Sequence, residues 1–274
     1  VAFIMRCKHA VIMCIYNGDN VNNVKLAVDS ILNQTVNNHL YIYVDGEVNP
    51  FLNTYLNKEE SNHQIFIFRS EFNLGLAYGL NFLIDKIQSK SYEYISRMDG
   101  DDISLLDRLE RQELYLNKHP DVDVIGSYCT EFGSDCSLPV KKLPQYHDEL
   151  VRFSVLRCPL IHPTVMFRAK VFKHGLRYPI NTYLSEDLAL WYEMIYLGLK
   201  FGNVPDVLLK YRLTDSTISR RKGLKKAGNE IALRFSYMKK MKLITLSNLI
   251  LLSFKFISHF MPLIITKIMY KKLR

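Results

Sequence analysis

The chain has 274 residues, 48% hydrophobic and 23% charged, an ordinary globular composition that allows one large α/β domain or two small ones around a sizeable core. Its net charge of +9 is uneven: residues 218–274 hold ten Lys, four Arg and one acid, Glu230, a net of +13, which leaves −4 for residues 1–217. Five cysteines, an odd number at spacings matching no zinc or redox pattern, exclude a zinc ribbon or a disulfide framework and point to free thiols in a reducing compartment.

The apolar stretch at the start is cut off by Arg6 and Lys8, too early for the apolar region of a secretory signal. Ala10–Tyr16 is a continuous apolar run, as a buried parallel strand requires. Residues 17–20, Asn-Gly-Asp-Asn, end it as a turn. Val24, Val28, Ile31 and Leu32 recur at helical spacing. Leu40–Val44 and Ile65–Phe68 read as further strands. Asn73-Leu74-Gly75 opens a helix with Leu76, Leu80, Leu83, Ile84 and Ile87 on one face. Tyr92–Met98 is a fourth strand and runs into Asp99-Gly100-Asp101-Asp102. Alternation of this kind predicts a mostly parallel sheet with helices on both faces. Beyond it, Asp123–Thr130 and Thr164–Phe167 are expected as strands, Leu150–Arg157 and Glu186–Leu199 as helices.

In the tail, Leu243–Phe254 and Phe256–Thr266 are apolar but interrupted by Lys255, His259 and Lys267. Neither reaches the ~20 apolar residues of a spanning helix. Amphipathic helices lying in a membrane interface are expected instead, with Lys239, Lys240, Lys242, Lys271, Lys272 and Arg274 at the lipid headgroups. A helical pair packed on the body is the alternative. Nucleic acid is not expected as a partner, because no recognisable basic and aromatic stacking module is present.

The strongest local signal is Arg97-Met98-Asp99-Gly100-Asp101-Asp102. A strand ending in several carboxylates places them at the carboxyl edge of a parallel sheet, where open α/β folds bind ligands. Carboxylates packed so closely repel unless a cation neutralises them, and Mg²⁺ or Mn²⁺ typically bridges such groups to phosphate oxygens. An EF-hand loop starting at Asp99 fails, with Ser104 where glycine is needed. The dinucleotide fingerprint after the first strand and a P-loop are both absent. A nucleotidyltransferase would also use strand-end carboxylates, yet the phosphate loop it normally carries near its first strand is missing.

At these residues the chain resembles the inverting, GT-A-fold glycosyltransferases of family 2, over roughly residues 10–215. Residues 11–18 resemble the family's first strand and donor-binding turn, with Tyr16 and Asn17 at the donor. Ser30-Ile31-Leu32-Asn33-Gln34-Thr35 is similar to its characteristic helix end. Val44-Asp45-Gly46 matches the acidic site for the uracil end of the donor, with one Asp where the family usually has two. Arg69, Asn73, Leu74 and Gly75 match an Arg-x-x-x-Asn-Leu-Gly segment, and Asp99, Gly100 and Asp101 the D-x-D. Residues 162–167, from His162 to Phe167, and 185–191, from Ser185 to Trp191, match two later blocks. Lys210-Tyr211-Arg212 opens a block that often continues to a His, where this chain has Thr214.

The resemblance implies an α/β GT-A, Rossmann-like domain over residues 1–217, with a nucleotide-sugar half at about 10–102 and an acceptor half at 103–217, followed by the basic helical tail at 218–274. It implies a metal-assisted transfer of a hexose, UDP-galactose or UDP-glucose being the favoured donors, onto an undecaprenyl-diphosphate-linked sugar. The setting would be O-antigen or capsule assembly at the cytoplasmic face of a bacterial inner membrane. Asp101 would hold Mn²⁺ or Mg²⁺, and Asp99 the donor ribose or the same metal. Asp102 would hold a metal-bound water or cap the helix starting near Leu105. Asp187, with Glu186 beside it, would be the base. Asp45 would accept from the donor base with Arg69 nearby. His162 either faces the acceptor or is structural. Trp191 either packs on a sugar or belongs to the core. A non-catalytic assembly protein on a transferase fold is the remaining alternative, and the intact Asp99, Asp101 and Asp187 argue against it.

Overall fold

The computed structural model describes residues 6–182, 184–214 and 223–262. Its strands are β1 (His9–Tyr16), β2 (Asn38–Asp45), β3 (Ile65–Arg69), β4 (Tyr94–Asp99), β5 (Ile103–Ser104), β6 (Val124–Phe132), β7 (Met166–Arg168) and β8 (Phe201–Arg212). Its α-helices are α1 (Val21–Leu32), α2 (Pro50–Glu59), α3 (Leu76–Gln88), α4 (Arg108–Lys118), α5 (His147–Ser154), α6 (Glu186–Tyr196), α7 (Leu224–Lys240) and α8 (Leu246–Ser258).

One eight-stranded sheet runs in the order β3-β2-β1-β4-β7-β6-β8-β5. The pairs β1–β2, β2–β3, β1–β4 and β6–β8 are parallel, whereas β4–β7, β6–β7 and β5–β8 are antiparallel. The central strands β1 and β2 are apolar along most of their length because both sheet faces are covered. One face packs α3 and α6 around Leu80, Leu83, Phe167 and Trp191. The other packs α1, α2 and α4 around Val28, Ile31, Leu52 and Leu109. Local chemistry starts the helices in register: the Asn20 side chain accepts from Asn22 N and Asn23 N ahead of α1, and Asn49 caps α2 with Pro50 at its first position. Strand order reverses between β1 and β4, and there the carboxyl edge opens a crevice in folds of this kind.

Two elements depart from expectation. β8 is twelve residues long and pairs with β6 through register shifts at Ser127–Cys129, opposite Pro205 and Asp206. A proline cannot donate to the ladder, so the strand bulges there and its period is broken in sequence. In the tail, α8 runs straight through Lys255 and ends at Ser258. Lys255 does not interrupt a lipid-facing stretch, because it turns inward to Glu230, 3.4 Å away. The expected second segment is not a separate helix up to residue 262, and residues 263–274, with Lys267, Lys271, Lys272 and Arg274, lie outside the described part. Among the described residues no helix is long and apolar enough to cross a membrane.

Candidate active site

β4 delivers Asp99 to the sheet edge, in register with Cys14 of β1. The chain turns at once through Gly100, so Asp101 and Asp102 fold back beside it. Carboxylate oxygens of Asp99, Asp101 and Asp102 all lie within 4.8 Å of one another. Asp102 is fully buried. Its Oδ1 accepts from Arg212 N at 2.7 Å, while Oδ2 has no hydrogen-bond partner among the described residues. Helix α4 begins only at Arg108, behind Asp107, so Asp102 caps nothing. Burial and the charge of Asp99 push the Asp101 carboxyl up to about 6. Burial, Asp99 and Asp101 together hold Asp102 well above the usual carboxylate range. Three crowded acids, of which Asp101 and Asp102 are pushed up, form a hard-oxygen donor set short of positive charge, which suits a divalent cation such as Mg²⁺ or Mn²⁺.

One cation is built in beneath them. Arg97 is buried in β4 and pairs with Asp99 through Nη2, and its Nε and Nη1 find no hydrogen-bond partner among the described residues. The sequence alone assigns Arg97 no role, since nothing local says which face of a strand an arginine serves. The Arg212 Nε also donates to Asp101 O at 2.8 Å, so the end of β8 clamps the acidic turn. That contact spans more than a hundred residues and leaves no local signature.

Asp45 ends β2 and is buried. Its two carboxylate oxygens accept from Leu74 N at 2.7 Å and Gly75 N at 2.9 Å, and Asn73 Nδ2 donates to Asp45 O at 3.2 Å. The Asp45 turn and the Asn73-Leu74-Gly75 segment are thus one unit. Gly46 sits at φ +83° with Asn73 N 3.0 Å from where a β-carbon would stand, so glycine is needed in place of a second Asp. Tyr16 and Asn17 are exposed at the end of β1, and Tyr16 N donates to Asp19 Oδ2 at 2.9 Å.

Arg69 departs from its expected place beside Asp45. Its guanidinium turns to α2, donating to Asn57 Oδ1 at 2.7 Å and Glu60 Oε1 at 2.9 Å. An exposed strand end offers it nearer acceptors there than at the crevice. Trp191 is fully buried between Phe167, Phe201 and His162, so its ring has no face free for a sugar. His162 is bonded through Nε2 to Tyr178 Oη at 2.9 Å. Burial and then the Arg97 charge hold its pKa well below the ordinary value, so the ring is neutral.

Glu186 and Asp187 open α6 and are partly buried. Burial and the neighbouring Asp187 charge raise the Glu186 pKa, while Lys226 and Arg97 lower it. Asp187 Oδ1 accepts from Leu188 N at 2.7 Å, and the Cys158 thiol lies 3.6 Å from Oδ2. The charge of Arg97 therefore reaches Asp101, Asp102 and Glu186 alike. Strand-end acids and helix-start acids share one electrostatic neighbourhood.

Residues 10–175 match the model of glycosyl transferase family 2. The chain is 30% identical over 226 residues to the amylovoran biosynthesis glycosyltransferase AmsE of Erwinia amylovora, covering 82% of this chain and 83% of the relative. It is 31% identical over 238 residues to the UDP-Gal:α-D-GlcNAc-diphosphoundecaprenol β-1,3-galactosyltransferase of Escherichia coli, covering 84% and 83%. The fold matches S. aureus TarS residues 1–349 in complex with UDP-GlcNAc, with a TM-score of 0.64 at 14% identity over 92% of this chain and 72% of that one. A Pyrobaculum calidifontis mannosyltransferase with GDP-Man and Mn²⁺ gives 0.61 at 13% identity, over 97% and 85%.

Proposed function

Because the chain belongs to glycosyl transferase family 2 and is a glycosyltransferase of GT-A fold, we propose that it moves a hexose, with inversion, from a UDP-sugar to a sugar carried on an undecaprenyl-type lipid diphosphate. The observation that carries this reading is the acidic triad, with carboxylate oxygens within 4.8 Å of one another at the crevice between β1 and β4. Asp99 and Asp101 would hold Mn²⁺ or Mg²⁺, and Asp102, with one free oxygen, would hold a bound water. A cation there supplies a Lewis acid and template for the leaving diphosphate. Tyr16, Asn17, Asp45, Asn73 and Gly75 line the donor side in this reading, with Asp45 accepting from the uracil N–H. Arg69, tied to α2, would act only through a change of partner.

On the opposite side Asp187 takes the proton of the acceptor hydroxyl as its oxygen bonds to the anomeric carbon. The bond from that carbon to the diphosphate oxygen breaks with inversion, through an oxocarbenium-like transition state. A lipid diphosphate acceptor is supported by the E. coli relative, a galactosyltransferase acting on α-D-GlcNAc-diphosphoundecaprenol, and by the tail. On α8, Leu246, Ile250, Phe254 and Ile257 are exposed, and Lys239, Lys240 and Lys242 precede them. Apolar residues beside clustered cations suit an anionic bilayer surface, which supports the reading of a peripheral enzyme at the cytoplasmic face of a bacterial inner membrane in O-antigen or capsule assembly.

The test measures UDP release by purified protein given UDP-galactose or UDP-glucose and a synthetic sugar-diphosphate-lipid, with and without Mn²⁺. Turnover dependent on both acceptor and metal is expected. Full activity in excess chelator would overturn the metal-assisted reading, and release of inorganic diphosphate instead of UDP would indicate a nucleotidyltransferase.

A further inference from the structure

The turn that presents Glu186 and Asp187 is not self-supporting. Leu184 has φ +50°, a left-handed conformation that a branched side chain adopts at a cost. Ser185 stands at the N-cap of α6, yet its hydroxyl makes no capping bond to the helix. The turn is met instead by Lys226 in the first turn of α7. Its ammonium donates to Leu184 O and, at 2.6 Å, to Ser185 Oγ. Lys226 is only 8% exposed, and a buried ammonium without partners would be heavily penalised. These contacts therefore fix where α7 begins relative to α6 as firmly as they fix the turn.

The rest of α7 is anchored so that Lys226 cannot drift. Arg234, buried, donates to Ser154 O at 2.7 Å, Val155 O at 3.0 Å and Tyr192 Oη at 3.1 Å. Tyr192 of α6 stacks on Tyr237 of α7, with centroids 3.8 Å apart. Glu230 accepts from Arg234 at 2.7 Å and faces Lys255 of α8 and His259 at that helix's C-cap, each at 3.4 Å. A continuous path of buried polar contacts thus runs from α8 through Glu230 and α7 to the residue before Glu186.

We propose that Lys226 is a positioning residue for the transfer reaction, bracing the Leu184–Ser185 turn so that Asp187 meets the acceptor hydroxyl, and that α7 is part of the catalytic unit and not only an anchor. The idea rests on the reading of Asp187 as the base. Lys226 itself touches neither substrate nor metal. It acts by holding a strained turn in one place, and a displacement of about 1 Å at a reacting group costs on the order of a hundredfold in rate.

The experiment uses the full chain and compares wild type, Lys226→Met, Lys226→Arg and Asp187→Asn. For each, kcat and donor KM are read from UDP release, and UDP affinity with Mn²⁺ from calorimetry. Lys226→Met is expected to lower kcat about 10–100-fold, with donor KM and UDP affinity close to wild type. Lys226→Arg, which retains a cationic donor, is expected to recover most of that loss. Wild-type kcat in Lys226→Met overturns the proposal, as does a fall in kcat matched by equal loss of UDP affinity, or a Lys226→Arg enzyme no better than Lys226→Met. Wild-type turnover in Asp187→Asn shows that the base assignment failed, which the Lys226 variants alone would not reveal.

Discussion

Two buried charge clusters in this molecule are near mirror images. At the end of β4 three carboxylates, Asp99, Asp101 and Asp102, crowd around one built-in cation, Arg97. Between α7 and α8 one carboxylate, Glu230, is surrounded by Arg234, Lys255 and His259. The first cluster is short of positive charge, and the carboxyls of Asp101 and Asp102 are pushed up by burial and by one another. The second oversupplies it. Burial alone would raise Glu230, but His259, Lys255, Arg234 and Lys226 outweigh it and hold the carboxyl far below its usual range. A cluster whose imbalance a cation would relieve is suited to binding. A cluster whose single anion satisfies several cations is suited to holding helices together.

Removing an acid from each should give opposite signatures. Asp101→Asn takes one like charge out of a crowded site. It should cut turnover about a thousandfold, since a metal-stabilised leaving group is worth several kcal/mol. The same change should leave the metal-free protein no less stable, because repulsion and desolvation are relieved. Steady-state UDP release and thermal melting on one preparation test both halves. An active Asp101→Asn, or one that melts well below wild type, would break the contrast from the β4 side.

Glu230→Gln should do the reverse. It leaves the buried Arg234, and Lys255 beside it, without their counter-charge, and breaking such a pair typically costs about 3 kcal/mol. Urea unfolding should register that loss. The sign with pH follows from the depressed carboxyl: the stability Glu230 contributes is present above its ordinary, unfolded value of 4.5 and is lost as pH falls from there toward the depressed folded value. Wild type should therefore lose its advantage over Glu230→Gln on acidification. A constant difference down to pH 3 would show that the cluster is held by something other than charge.

How far each cluster was legible follows from where its partners lie. β1, β2 and β4 are readable because a strand covered on both faces must be a continuous apolar run, and the Asp99-Gly100-Asp101-Asp102 string directly follows one. Its carboxylates are contiguous in sequence, so their convergence needed no fold. Arg97 is equally local, but its direction depends on which sheet face α6 and Tyr178 cover. The Arg212 clamp depends on β8, whose period is broken where Pro205 bulges out of the ladder. At the other cluster the difficulty is sharper. Lys255 in an apolar segment reads as an interruption, because its counter-charge Glu230 lies on a different helix. Arg69 shows the converse limit: the family pattern puts it near Asp45, and β3 does pair it with Val44 next door, but its guanidinium turns to Asn57 of α2 and to Glu60 at that helix's C-cap.

The smallest expected effect gives the finest test of the β4 cluster. With no cation bound, the Asp101 carboxyl is pushed up to about 6 when folded, from its ordinary 3.8 when unfolded. For an acid whose folded pKa is raised, the unfolded state releases its proton first, so stability falls as pH rises from about 4 to 6 and stays low above. A divalent cation binds the ionised carboxylates and competes with protons, so it should restore what ionisation removes. Saturating Mn²⁺ should therefore raise the melting temperature by about 3 °C more at pH 7.5 than at pH 5, roughly 1 kcal/mol for a chain of this size. In Asp101→Asn most of that difference should vanish, while in Glu230→Gln it should persist on a lower baseline. An equal Mn²⁺ shift at both pH values would mean that the ion binds elsewhere, and the acidic turn would then owe its place to Arg97 and Arg212 alone.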